Sequence, residues 1–112
     1  MAVLATQLVT RAGVAPTYAA AAGGGDRFTP GPATWLHVKN ASGGAITVTV
    51  VTPRNDAWGN TIADNTISVP ATTGERVIGP FPAEAYGSVT DGLADITYSG
   101  VTSLTIGCFS VV

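Results

Sequence analysis

Apolar and polar residues alternate in short runs along the second two-thirds of the chain. The clearest is Thr34-Trp35-Leu36-His37-Val38-Lys39-Asn40, where Leu36 and Val38 share one face and Trp35, His37 and Lys39 share the other. Residues 45–52 repeat the pattern, with Ile46, Val48 and Val50 opposite Thr47, Thr49 and Val51. A period of two predicts strands with one buried face, and β-branched residues suit such a pleated surface. Shorter runs at 66–70, 75–78, 96–98 and 104–109 read the same way, the last with Leu104, Ile106 and Cys108 on one face. Residues 14–20 add one more candidate, and Pro16 points to an edge or irregular position.

Turn signals separate these runs. Asn40-Ala41-Ser42-Gly43-Gly44 and residues 71–74 read as two hairpin connections, and Asp91-Gly92 as a turn. Gly79-Pro80-Phe81-Pro82 stops a strand, because neither proline can donate to a ladder. Residues 23–32, dense in Gly and Pro, read as a loop, and residues 53–60 form another that carries Trp58. No segment shows a 3.6-residue period; the alanines at 19–22 favour helix, but Gly23-Gly24-Gly25 ends them at once. The expected fold is all-β: a single-domain β-sandwich or flattened β-barrel of about seven strands with an extended N-terminal arm. Its core should hold Leu36, Val38, Ile46, Val48, Val50, Val69, Ile78, Ile96, Leu104 and Ile106. Residues 1–22 form the arm and 23–112 the β-domain. The arm combines apolar residues with few charges, which suits addition of a strand to a neighbour's open sheet edge. The alternative is an ordinary first strand paired within its own domain.

Composition narrows the function classes. Only 11% of the 112 residues are charged, against about 25% in an average soluble domain. The surface is therefore Thr-rich and weakly self-repelling, or largely covered by partners. A net charge of −2 and five dispersed basic residues argue against nucleic-acid binding. No apolar run reaches the roughly 20 residues that span a bilayer. Residues 1–10 lack the positive start of a signal peptide, and the single Cys108 allows no intrachain disulfide. A reducing site of synthesis, the cytoplasm, fits both.

Candidate chemistry is sparse. His37 and Cys108 are the only pair from which a Cys–His nucleophile dyad could be made, but a strand cysteine is usually a small buried hydrophobe. One cysteine and one histidine cannot build a zinc site. Asp64, Asp91 and Asp95 lack EF-hand spacing and suit turns. Gly23-Gly24-Gly25 lacks the phosphate-loop pattern, and Asn40-Ala41-Ser42 is a glycosylation sequon of a kind common by chance. Trp35, Trp58, Tyr86 and Tyr98 could stack on sugars, although packing explains most such rings. No catalytic residue, metal or cofactor is expected.

Several blocks together carry a resemblance. Gly24-Gly25-Asp26-Arg27-Phe28, Trp35-Leu36-His37-Val38-Lys39-Asn40, Ile46-Thr47-Val48-Thr49-Val50, Ile67-Ser68-Val69-Pro70-Ala71, Ile78-Gly79-Pro80-Phe81-Pro82 and Ile96-Thr97-Tyr98-Ser99-Gly100-Val101-Thr102 occur in that order over roughly residues 14–110. The series resembles a family of small structural proteins of tailed phages. The resemblance implies a virion protein from the gene cluster around the major capsid protein, and a capsid decoration (cement) role. Head fibre, connector and tail components are similar small β-proteins, and a virion-displayed glycan-binding module is the alternative from another class. The partners it implies are the major capsid protein and further copies of the chain, expected as a homotrimer at capsid symmetry axes. The candidate contacts are Leu4, Leu8, Val9, Val14 and Tyr18 in the arm, with Trp58 and Phe81 in loops.

Overall fold

The computed structural model describes residues 2–111. Its elements are β1 (Ala2–Val3), β2 (Thr6–Leu8), β3 (Ala19–Ala20), β4 (Asp26–Phe28), β5 (Thr34–Asn40), β6 (Ile46–Val50), β7 (Asn65–Val69), β8 (Gly74–Ile78), the single helical turn α1 (Ala83–Tyr86), β9 (Ala94–Tyr98) and β10 (Leu104–Ser110). One sheet runs β1-β4-β9-β6-β7 and the other β2-β10-β5-β8, with β3 also on β10. Both sheets are open at their edges, so the fold is a sandwich rather than a barrel. Its 20 Å thickness is that of two packed sheets with their side chains.

The alternation read from the sequence sets the core. Every expected core residue is buried, and Phe28, Phe81, Ala94 and Cys108 join them. Leu36, Val38, Leu104 and Ile106 of one sheet and Val48, Val50 and Ile96 of the other are at most 1% exposed. Each such side chain contributes about 1.5–3 kcal/mol on leaving water. Phe28, Phe81 and Tyr86 form a chain of edge-to-face rings with centroids 5.1 Å apart, which holds the segment around α1 against the sandwich.

Both expected hairpins are instead crossings between the sheets. β5 and β6 lie in different sheets, as do β7 and β8. A period-two pattern shows that one face of each strand is buried, but not whether two such strands pair edge to edge or pack face to face. The first crossing is pinned by Asn40, which is 1% exposed. Its Oδ1 accepts from the Ser42 amide (2.9 Å), and its Nδ2 donates to the carbonyls of Gly44 (3.0 Å) and Val69 (3.2 Å). The Asn40 side chain thus ties one sheet to the other, and the sequon is sequestered. In the second crossing Gly74 lies opposite Asn40 in register, and a Cβ there would sit 1.8 Å from the Pro70 carbonyl oxygen.

The N-terminal segment departs furthest from expectation. It does not stand off as an arm separate from residues 23–112. β1 pairs parallel with β4, β2 parallel with the C-terminal half of β10, and β3 antiparallel with its N-terminal half. Residues 9–17 loop out between them, and the Gln7 side chain closes that loop by bonding both the N–H and the C=O of Thr17 at 2.8 Å. Leu4 and Ala21 reach the core. Similarly, β4 forms inside the expected 23–32 loop, because pairing with β9 outweighs the local glycine signal.

Gly74→Ala is expected to cost about 2 kcal/mol or more in denaturant unfolding, since the methyl group meets rigid backbone. Gly43→Ala, where a Cβ meets open space, should change stability by less than about 0.5 kcal/mol.

Candidate functional site

With the core sealed, three outward features remain: the outer face of the β10-β5-β8 sheet, the Trp58 loop and the charged rim around Arg27. On the sheet face, β5 turns Trp35, His37 and Lys39 outward, and Phe109 of β10 stacks on Trp35 (centroids 4.7 Å, 20°). Gly107 lies opposite His37 in register. A Cβ at Gly107 would lie 2.9 Å from both Phe109 Cε1 and the Thr17 carbonyl, so its absence lets the N-terminal segment cross the strand. That crossing delivers Tyr18. Its hydroxyl is 2.7 Å from His37 Nδ1, and His37 Nε2 is 2.8 Å from Glu75 Oε1. An ionised carboxylate only accepts, so Nε2 carries a proton; in the neutral imidazole Nδ1 then accepts from the tyrosine. Lys39 Nζ lies 4.0 Å from the Tyr18 ring centroid, a cation–π contact. Beside this cluster a shallow cleft of about 450 Å³ opens among Trp35, Val77, Pro80 and Val111. Val77 is 65% exposed.

The Trp58 loop is short and internally braced. Asp56 Oδ1 accepts from the amides of Trp58 and Asn60, both at 2.9 Å, and Asn55 bridges Thr61. Arg54 Nε donates to the Gly87 carbonyl at 2.7 Å, tying the loop to the segment after α1. Its indole is left 86% exposed. The amide donors, that of Asn60 foremost, hold the Asp56 carboxyl below the ordinary aspartate value.

On the rim, Arg27 pairs with Asp91 (2.8 Å) and Asp95 (2.6 Å). These two carboxylates raise the Arg27 pKa. The Leu93 amide and then Arg27 lower that of Asp91. Asp64 accepts from the amide and hydroxyl of Thr52. The acidic residues weighed as cation ligands are therefore bonded within the chain, and the described residues contain no cluster of His, Cys, Asp or Glu able to hold a metal. Asp26, 1% exposed, accepts from the Tyr98 hydroxyl (2.7 Å); burial, then this bond, pushes the phenol pKa up. Cys108 faces the core beside Thr6 (3.7 Å), its thiol pKa raised by burial. His37 sits on the opposite face of the same sheet, so the two do not form a dyad.

The structure separates the expected contact residues. Trp58, Leu8 (53% exposed) and Val14 (39%) present apolar surface outward, and Val9 and Tyr18 are half-buried. Leu4 and Phe81 are core residues: Leu4 follows β1 into the interior, and Phe81 bridges Gly31 with its ring against Phe28 and Tyr86. They are not outward contacts. The four rings weighed as a sugar platform do not share a surface. Trp35 stacks on Phe109, Tyr86 meets Phe81 edge to face, Tyr98 turns to Asp26, and Trp58 stands at its loop tip. Sequence reasoning missed the Trp35–Val77–Val111 cleft. The outward register of Trp35 was visible, but its flanking strands come from residues far away in the chain. Comparison with family models, curated proteins and solved structures finds no match to this chain.

Tyr18→Phe should cost about 1 kcal/mol, the ordinary worth of one hydrogen bond, and should quicken proteolytic nicking within residues 9–17. The depressed Asp56 and Asp91 pKa values mean that the unfolded chain binds more protons than the folded one in acid. Their contribution to stability is full above the unfolded value of about 3.9 and is lost as the pH falls below it. Thermal midpoints measured from pH 7 to pH 2 should therefore drop in acid, and less steeply for Asp56→Asn combined with Asp91→Asn.

Proposed function

We propose that this chain is a structural protein of a tailed-phage particle, a decoration protein that bridges neighbouring major capsid protein subunits on the outside of the shell. It is made in the bacterial host and acts on the virion. The observation that carries the reading is Trp58, 86% exposed on a loop braced by the hydrogen bonds of Asp56 and Arg54. Tryptophan is enriched among residues that dominate interface energies, and a loop rigid before binding loses little entropy on docking. The ordered resemblance to phage structural proteins and the low charge of the chain support the same reading. Leu8 and Val14 supply further apolar contacts.

The mechanism needs contact area and no bond chemistry. Packaged DNA loads the lateral contacts of a shell, and a cap touching two subunits adds an interface that must break before they part. Copies joined around a symmetry axis, a trimer in the simplest case, engage several sites together. Release is then slow even where one contact is weak. A glycan-binding role on the virion is the second reading, favoured by the same exposed ring, since sugars stack on aromatic faces.

Trp58→Ala should weaken binding to stripped particles about thirtyfold, the scale of an interface hot spot, with the circular dichroism spectrum unchanged. Particles lacking the protein should release DNA at lower temperature than complete ones. Identical release temperatures would sink the cement mechanism, and glycan-array binding abolished by Trp58→Ala would establish the second reading in its place.

A further inference from the structure

The sandwich treats its sheet edges unequally. The outer side of β10 is covered by β2 and β3. At β8, Arg76 Nη1 reaches back 2.7 Å to the Glu75 carbonyl, and two adjacent charges protect the strand. β1 is only two residues long. β7 is different. Asn65-Thr66-Ile67-Ser68-Val69 carries no charge and no proline, and it pairs on one side only, with β6.

The register identifies its free groups. The Ser99 amide donates to the Thr47 carbonyl and the Val51 amide to the Asp95 carbonyl, so odd-numbered residues of β6 turn their backbone groups to β9. Even-numbered residues turn theirs to β7. With Val48 opposite Ile67, the backbones of Asn65, Ile67 and Val69 face β6, and the N–H and C=O groups of Thr66 and Ser68 point away from the sheet. Thr66 and Ser68 are exposed, while Ile67 leans half-buried on the core.

We infer that β7 is a self-association edge, at which two copies of this chain pair their β7 strands antiparallel about a two-fold axis at Ile67. In that register Thr66 of each copy faces Ser68 of the other, and all the outward backbone groups of these residues join in four interchain hydrogen bonds. A two-residue shift one way sets Thr66 opposite Pro70, which has no N–H; the other way sets Ser68 opposite Asp64, whose carboxylate is engaged with Thr52. A one-residue shift turns Ile67 to the wrong face. The chosen register sets the two Ile67 side chains together on the core side and extends the hydroxyl rows of Thr47–Ser68 and Thr49–Thr66 across the axis. No like charges oppose one another. A lone pair of five-residue strands is a small contact beside the roughly 1,200 Å² of a stable interface, so the association should be weak and concentration-dependent. It closes at two copies, is distinct from a threefold ring on a particle, and does not depend on the capsid reading.

Sedimentation of the full chain up to about 1 mM should show a monomer–dimer equilibrium. Ile67→Cys should give a disulfide-linked dimer under mild oxidation, because a non-hydrogen-bonded pair places the Cα atoms about 4.5 Å apart, within disulfide range. Ser68→Cys should give far less, and wild-type protein none, since Cys108 is buried. Ser68→Pro removes an N–H with no intrachain role and should weaken dimerisation at least tenfold. Should that variant misfold, Thr66→Lys with Ser68→Lys opposes like charges and should abolish the dimer, while Thr66→Lys with Ser68→Glu should retain it. A monomer throughout, a dimer insensitive to these edge changes, or equal cross-linking by Ile67→Cys and Ser68→Cys overturns the inference.

Discussion

The packing of two inward apolar faces is the constraint on which the rest of this structure depends. β5 and β10 offer Leu36, Val38, Leu104 and Ile106 from one side, and β6 and β9 offer Val48, Val50 and Ile96 from the other. Once those faces meet, each sheet has a single free face, and the remaining chemistry of the chain must sit on outer faces, edges or loops. The same contact explains why Cys108 and His37, neighbours across two strands, face different media.

Face-to-face packing creates two further needs: the chain must cross between sheets, and the edges must be managed. Asn40 meets the first by replacing ladder bonds with side-chain bonds to Ser42, Gly44 and Val69, so the turn costs no unpaired polar group. Among the described residues no buried side-chain nitrogen or oxygen lacks a partner. The N-terminal segment meets the second by laying β2 and β3 along β10 and fastening them with Gln7 and Tyr18. Residues that look like a detached arm in one dimension thus close a sheet in three.

The surface left over divides into kinds. One sheet shows hydroxyl rows and the Arg27 ion pairs, and the other shows the Trp35–Phe109 stack with a charged network around His37. Trp58 stands apart from both, carried by a braced loop. It is the most exposed large apolar side chain among the described residues.

The sequence by itself determined the all-β class, the positions of the long strands and which side of each is buried. Those follow from a local rule, since side chains alternate across a strand and apolar ones leave water; Leu36, Val48 and Ile106 needed no knowledge of their neighbours. The outward position of Trp58 was equally legible, as a lone large ring in a polar loop. Only the tertiary structure decided which strands pair. Whether 34–40 and 46–50 form a hairpin or face each other across a core depends on contacts with β8, β9 and β10, remote in the chain. The short strands β1, β2 and β4 exist only because a partner strand supplies their hydrogen bonds, and no local propensity marks them. Leu4 and Phe81 look like surface anchors for the same reason: burial of a residue outside a periodic run is set by what packs over it, and here that is Phe28, Tyr86 and the opposite sheet.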